Sequence, residues 1–134
     1  MTVTVERPYD DTVAAVREQL AEQGFGVLTE IDVAATLRTK LGVETPSQVI
    51  LGACRPELAH RAIEAEPSIA ALLPCNVVVR DGGSGCTVVE AADPDAMMQF
   101  AGGGSLREVA AEARQRLGAA LAALARASAV KGAE

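Results

Sequence analysis

The chain has 134 residues, a formal net charge of −6 at pH 7, and 49% hydrophobic but only 2% aromatic residues. This length fits one domain that folds around Ala, Val, Leu and Ile without needing a disulfide or a metal. The 12 basic residues are scattered among 18 acidic ones. That distribution excludes nucleic acid and anionic membrane surfaces as main partners, because both attract clustered Lys and Arg.

The first segments predict a strand and a helix. Val3 and Val5 alternate with polar residues, which is typical of a short strand. Asp10 or Asp11 then caps a helix, and Gly24 ends it at the usual C-terminal glycine position.

A second strand and a second helix follow. Asp32 caps this helix and Gly42 closes it. The strand has the sequence FGVLTEI, and its alternation places four residues on one side: Phe25, Val27, Thr29 and Ile31.

The middle of the chain predicts three more strands. The apolar run SQVILGAC is of strand length, and Pro56 suits the first turn of a helix that extends to about Glu66. LPCNVVVRD and CTVVEAA are strands on either side of a DGGSG hairpin turn, so they must be antiparallel. The order β-α-β-α-β-α-β-β-α-α with this hairpin favours an α+β fold over a doubly wound parallel sheet.

The C-terminal segment predicts a long helix. Asp93 before Pro94 indicates a short helix, and a glycine loop follows at residues 102–104. Ser105 and Glu108 form a capping box, so the helix should begin there and end near Ala125. Residues 1–127 then form one domain and residues 128–134 a frayed tail. One apolar stripe follows the helix: Leu106, Val109, Ala110, Ala113, Leu117, Ala120, Leu121 and Leu124.

Several stretches resemble a known family. They are GFGVLTEIDVAATLRTKLG, ILGACRPELAH, LLPCNVVVRD and EAADP, and the most specific are G-x-C-x-P-x-x-A at residues 52–59 and L-P-C at residues 73–75. On these motifs nearly the whole chain resembles the bacterial and archaeal family called domain of unknown function 302. The resemblance implies a TATA-box-binding-protein-like fold: a single curved, mainly antiparallel sheet of about five strands, packed by helices that include a long C-terminal one.

The resemblance also implies a homodimer, and the Ala-rich last helix agrees with that expectation. It does not imply DNA binding, because a fold does not carry a function. The family commonly has Asn at the position of Arg55.

Two cysteines form the main candidate site. Cys54 ends the third predicted strand and Cys75 begins the fourth, so the thiols meet if these strands are antiparallel, as the family fold implies, and lie at opposite ends of the sheet if they are parallel. Neighbouring thiols suit a soft metal or the transfer of sulfur. The helix beginning at Pro56 favours a thiolate at Cys54. Alternatively, both cysteines are small hydrophobic residues packed at strand ends.

The other candidates have simpler explanations. His60 falls on the polar side of its helix, and its spacing from Cys54 matches no standard zinc pattern, so we expect no metal site. Glu30 and Asp32 share one side of a strand, as acid–base pairs can, but Asp32 is better explained as a cap and Glu30 as a surface charge or a partner of Lys40. Two adjacent methionines are expected to pack in the core or a dimer surface rather than bind copper: Met97 and Met98.

The sequence therefore predicts a small homodimeric binding or accessory module without a cofactor. An N-terminus unlike a signal peptide and an odd number of cysteines, typical of free thiols, predict a cytoplasmic protein. The alternatives are a thiol enzyme or sulfur carrier, with Cys54 as nucleophile and Cys75 as resolving thiol, and a structural dimer with inert cysteines. A candidate small-molecule site comprises Cys54, Arg55, His60, Cys75 and Glu30.

Overall fold

The computed structural model describes residues 1–99 and 103–133, with side chains through residue 127. The strands are β1 (Thr2–Val5), β2 (Gly26–Asp32), β3 (Gln48–Cys54), β4 (Cys75–Gly83) and β5 (Cys86–Ala91). The helices are α1 (Tyr9–Glu22), α2 (Val33–Leu41), α3 (Pro56–Ala65) and α4 (Gly104–Ala133), with 3-10 segments at Pro67–Leu72 and Pro94–Gln99.

The five strands form one sheet in the order β1-β5-β4-β3-β2, and all neighbours are antiparallel. The predicted α+β fold with a long last helix is confirmed. The antiparallel pairing of the third and fourth strands is confirmed as well. In the described part of the chain, no helix is long and apolar enough to cross a membrane.

The core consists of two clusters that α4 joins. The first lies between α1, one face of the sheet and the C-terminal half of α4, where Leu117 and Leu121 pack. The second lies between α3, the two 3-10 segments and the N-terminal half of α4. Cys75 packs against both clusters. Every residue of the predicted α4 stripe is buried, so the sequence pattern identified the face of this helix correctly.

Two predicted helix caps are wrong. Pro8 precedes α1 at the N-cap, so Asp10 and Asp11 lie inside the first turn, where carboxylates favour the positive end of the helix without capping it. Similarly, α4 begins at Gly104 and the Gly103 carbonyl accepts a hydrogen bond from the Arg107 amide, so Ser105 lies inside the helix. In both cases the backbone turns earlier than the polar side chain indicated.

The C-terminal boundary also differs. The helix α4 extends to Ala133, beyond the predicted end near Ala125. The glycine loop predicted at residues 102–104 lies partly outside the described residues. The division into a domain over 1–127 and a frayed tail over 128–134 stays a prediction.

The predicted alternation of β2 is interrupted. Val27 pairs with Ala53, but Thr29 pairs with Gly52, so one extra residue is inserted between them. A bulge of this kind reverses the face on which the following residues lie. Thr29 and Ile31 therefore lie on the opposite face from Val27, and Ile31 is 48% exposed.

Candidate functional site

The candidate site begins where β3 ends and α3 starts. Cys54 is the last residue of β3, and Arg55 is in an extended conformation as the N-cap of α3. Pro56 then occupies the first helical position, where its missing N–H is no loss. The Arg55 carbonyl accepts hydrogen bonds from the amides of Leu58 and Ala59, both at 3.0 Å. Strand and helix thus hold the backbone on both sides of Cys54.

Cys75 approaches this junction from the neighbouring strand. It is the first residue of β4 and pairs directly with Ala53. Paired Cα atoms in an antiparallel ladder lie about 4.5–5.5 Å apart and consecutive ones about 3.8 Å, so the Cα atoms of Cys54 and Cys75 lie within about 10 Å. The two cysteines are therefore near neighbours at one end of the sheet, although Cys75 shares the face of its partner Ala53 and Cys54, the next residue of β3, lies on the opposite face.

A small cavity of about 20 Å³ lies at this meeting point. Its volume is that of roughly one water molecule. The lining comes from the start of β2, the ends of β3 and β4, α3, α4 and the segments before β4 and α4. Apart from two cysteines and one arginine, the lining residues are apolar: Phe25, Ala53, Cys54, Arg55, Leu58, Ala59, Ala62, Leu73, Cys75, Met97, Val109 and Ala113.

Both thiols of the cavity favour the protonated form. Burial raises the pKa of the Cys75 thiol above its usual value of 9.0, and the adjacent Cys54 raises it further. Burial, followed by the negative charge of Glu57, raises the pKa of the Cys54 thiol as well. We predicted that the start of α3 would favour a thiolate at Cys54, but the pKa of this thiol is raised. The causes at Cys54 are loss of solvation and the Glu57 carboxylate.

Arg55 lies at the edge of the cavity, and its guanidinium group contacts a backbone carbonyl and two carboxylates. Its Nη1 donates a hydrogen bond to the carbonyl oxygen of Gln23 at 3.2 Å. Its Nε lies 3.7 Å from a carboxylate oxygen of Glu57 and 4.0 Å from one of Glu112, and this buried nitrogen makes no hydrogen bond. The guanidinium covers Gly24, where a Cβ atom would collide with it. Arg55 therefore ties the α1–β2 turn to the β3–α3 junction.

His60 and Glu30 lie away from the cavity. His60 is on the solvent side of α3 with its side chain 76% exposed, and its Nε2 lies 3.5 Å from a carboxylate oxygen of Glu64. Glu30 pairs with Arg17 of α1 at 3.0 Å, not with Lys40. Neither residue lines the cavity. The structure brings together Cys54, Arg55 and Cys75 but not the other two members of the predicted set.

The Glu30–Asp32 pair has a structural explanation. Asp32 accepts a hydrogen bond from the Ala35 amide at 2.9 Å and caps α2, as predicted. Glu30 and Asp32 face α1 opposite the buried positions Leu51 and Val49. In the described part of the chain, no three His, Cys, Asp or Glu residues are grouped as a metal site.

Met97 packs in the core, as one of its predicted alternatives, but its position beside the cysteines was not predicted. It lies in the 3-10 segment Pro94–Gln99, 4% exposed, and lines the cavity with both cysteines. No motif or spacing relates it to Cys54 or Cys75, because only the packing of this segment against α4 and α3 brings them together.

Comparison with known proteins adds a family and a solved relative. The family model described as domain of unknown function DUF302 matches residues 1–124. The chain is similar to the crystal structure of an uncharacterised conserved DUF302 protein from Bacillus stearothermophilus, with 30% sequence identity and a TM-score of 0.83. That similarity covers 92% of this chain and 96% of the other. No curated protein matches the chain.

Proposed function

The chain belongs to the DUF302 family, and we propose that this member is a homodimeric binding or accessory module with a small-ligand site around Cys54 and Cys75. The family membership that we predicted from its motifs is confirmed. One observation carries the proposal: Cys54 and Cys75, half-buried residues of neighbouring strands, are both among the residues that line one apolar cavity.

Binding is favoured over thiol catalysis by the chemistry around the sulfur atoms. A nucleophilic cysteine needs a lowered pKa or an adjacent base. Here the pKa of both thiols is raised, and no histidine or carboxylate is among the cavity-lining residues. The only histidine of the sequence is on the outside of α3. A thiol enzyme or sulfur carrier is therefore the weaker proposal.

The proposed ligand is tested by intact-mass spectrometry of the protein, purified from cells without denaturation. We expect a mass above that of the 13.8 kDa chain, lost in Cys54→Ser and in Cys75→Ser. Cys86→Ser is the matched control, because Cys86 is also half-buried but lies outside the cavity. A native mass equal to that of the bare chain, or an adduct that only Cys86→Ser removes, would contradict the proposal.

The proposed dimer has a candidate surface along β2 and α2. The strand β2 is at the edge of the sheet, where unpaired backbone groups can accept another chain. The helix α2 buries only Ala34. Exposed apolar side chains collect on these elements and just after them: Leu28 (66%), Ile31 (48%), Leu41 (69%) and Val43 (43%). An edge strand with such a surface suits a two-fold interface, in which each copy presents the same residues.

Light scattering tests the dimer. We expect a mass close to twice 13.8 kDa for the natural chain, and a single-chain mass for Ile31→Glu, because a buried unpaired carboxylate opposes association. Ile63→Glu is the control, since Ile63 is similarly exposed (40%) but lies on α3. A mass of one chain for the natural protein would refute the dimer. Dissociation by Ile63→Glu but not by Ile31→Glu would show that the interface is not formed by β2 and α2.

Two further parts of the proposal rest on composition. We propose that neither nucleic acid nor an anionic membrane surface is a main partner, since the net charge of −6 repels polyanions. We also propose the cytoplasm as the location, because an odd number of cysteines is typical of proteins kept reduced.

A further inference from the structure

The helix α2 is weakly attached to the rest of the molecule. It has nine residues and buries one of them, Ala34. The helix α3 has a similar length, ten residues, but buries Leu58 and Ala62. Isolated helices shorter than about 12–15 residues are marginal in water, so a short helix depends on the apolar face that it packs against the body. The other apolar contacts of α2 come from half-buried residues: Val33, Ala35 and Leu37.

The polar contacts of α2 are local. The Asp32 carboxylate accepts a hydrogen bond from the Ala35 amide at 2.9 Å, and the Thr36 hydroxyl donates to the Asp32 carbonyl oxygen at 2.7 Å. At the other end, Arg38 lies 3.3 Å from a carboxylate oxygen of Glu44 in the following loop. Among the described residues, no hydrogen bond or ion pair of an α2 side chain reaches beyond β2 and this loop. These contacts shape the helix without attaching it to the body.

The helix α3 shows the contrast. Its Arg61 lies 3.5 Å from a carboxylate oxygen of Glu108 and 3.7 Å from one of Glu112, and both acidic residues belong to α4. A segment with few buried apolar contacts and exposed backbone hydrogen bonds opens locally at a lower free energy than the rest of a protein. By this criterion α2 opens more easily than α3, which has both more buried residues and ion pairs to a neighbouring helix.

We propose that α2 unfolds locally in the single chain and is held folded by a second copy of the chain. This inference rests on the proposed dimer, because it assigns a role to the same surface along β2 and α2. Leu41 at the end of α2 is 69% exposed, and Val43 just after it is 43% exposed. A second copy that covers them supplies the apolar burial that α2 lacks within its own chain.

The position of α2 suits a second copy as the partner. The helix begins at Val33, directly after the last residue of the edge strand β2. A copy that pairs along β2 therefore reaches the start of α2. A helix of nine residues is only about 14 Å long, so Leu41 at its far end lies close to the same copy.

Association then stabilises the folded helix by mass action. If only chains with a folded α2 associate, dimer formation removes them from the equilibrium with the open form. At a free chain concentration about 100 times the dissociation constant, the open population falls about 100-fold. The opening of α2 should therefore depend on protein concentration, whereas the opening of α3 should not.

Limited proteolysis measures this opening, because α2 contains two trypsin sites, Arg38 and Lys40. When a segment recloses faster than it is cut, the rate of cleavage follows the population of the open form. Arg61 in α3 is the matched internal control, with its side chain 43% exposed against 57% for Arg38. Mass spectrometry identifies the site of each cut.

We expect cleavage in α2 to be at least about tenfold faster in the single-chain variant Ile31→Glu than in the natural dimer, and cleavage after Arg61 to change by less than about twofold. Diluting the natural chain below its dissociation constant should accelerate cleavage in α2 in the same way, without any substitution. In the Ile31→Glu background, Thr39→Ala should slow this cleavage about threefold, because alanine favours a helix more than threonine does. Thr45→Ala, in the loop after α2, should leave the rate unchanged.

Light scattering on the same samples separates this inference from the proposed dimer. A natural dimer whose cleavage in α2 stays the same on dilution and in Ile31→Glu overturns the local unfolding and leaves the dimer standing. A mass of one chain at every concentration overturns both. Cleavage after Arg61 that accelerates as much as cleavage in α2 on dilution shows that the whole chain opens, which also overturns the inference.

Discussion

Arg55 and Gln23 are joined across the edge of the cavity, where the arginine Nη1 donates to the glutamine carbonyl oxygen at 3.2 Å. The contact links two turns that are 32 residues apart in the chain. It passes directly over Gly24, whose φ is +82°. The position of the residue after Cys54 thus depends on a glycine that can accept both the left-handed backbone and the guanidinium.

We predict that Gly24→Ala destabilises the protein more than Gly42→Ala does. Gly42 also has a positive φ, +69°, but nothing lies within 4 Å of its added Cβ. The left-handed backbone alone costs about 1–2 kcal/mol in an alanine. Displacing Arg55 should add about 1 kcal/mol, the worth of one hydrogen bond. Urea unfolding measures both, and the extra loss should vanish in an Arg55→Ala background. Equal losses for the two glycines would show that Arg55 simply moves aside.

We predict that Cys75 reacts with iodoacetamide only at unusually high pH. Because burial raises the pKa of its thiol above 9.0, the midpoint of the rate profile should lie above that of the same chain unfolded in guanidinium chloride. A variant with Cys54→Ser and Cys86→Ser isolates the signal, although the contribution of Cys54 to the shift is then lost. A folded-state midpoint below the unfolded one would reverse the assignment and favour a nucleophilic cysteine.

The same shift predicts a loss of stability in alkali. A thiol whose pKa is raised on folding contributes stability that is present below the unfolded pKa and is lost as the pH rises through the folded pKa. The free energy of unfolding should therefore fall above about pH 9, and fall less steeply in Cys75→Ser. Parallel profiles for the natural chain and this variant would contradict the buried thiol.

We predict that Leu117→Ala lowers the free energy of unfolding by about 2–5 kcal/mol, because it leaves a cavity between α4, α1 and the sheet. Leu117 is 1% exposed, whereas Leu72, which lies outside the proposed interface, is 39% exposed and serves as the control. Leu72→Ala should cost about 1 kcal/mol or less. Similar losses at the two positions would contradict the deep burial of Leu117.

We predict that Asp32→Ala costs about 0.5–2 kcal/mol, because Asp32 accepts the Ala35 amide at the start of α2. Ser105→Ala should cost less than about 0.5 kcal/mol, since Ser105 is exposed inside the first turn of α4. Thermal unfolding monitored by circular dichroism compares the two variants. A larger loss at Ser105 than at Asp32 would restore the capping box predicted from the sequence.

The elements with a regular apolar period were predictable from the sequence. The apolar residues of α4 recur every three or four positions from Leu106 to Leu124, so the sequence alone showed which face of this helix is buried. The hairpin of β4 and β5 followed from glycines that allow a tight turn. Helix starts were less predictable, because several polar residues near Pro8 and near Gly104 suit a cap and only the backbone path selects among them. The bulge in β2 likewise has no local signal.

The sequence alone determined the family, the order of the elements and the two cysteines at strand ends, because these follow from local periodicity, turn residues and short motifs. The tertiary structure decided what surrounds those cysteines. It brought Met97 to the cavity and left His60 and Glu30 outside it. It also raised, rather than lowered, the pKa of the Cys54 thiol. The physical reason is that burial and contact depend on which distant segments pack together, and neither the spacing of residues nor their chemistry specifies that packing.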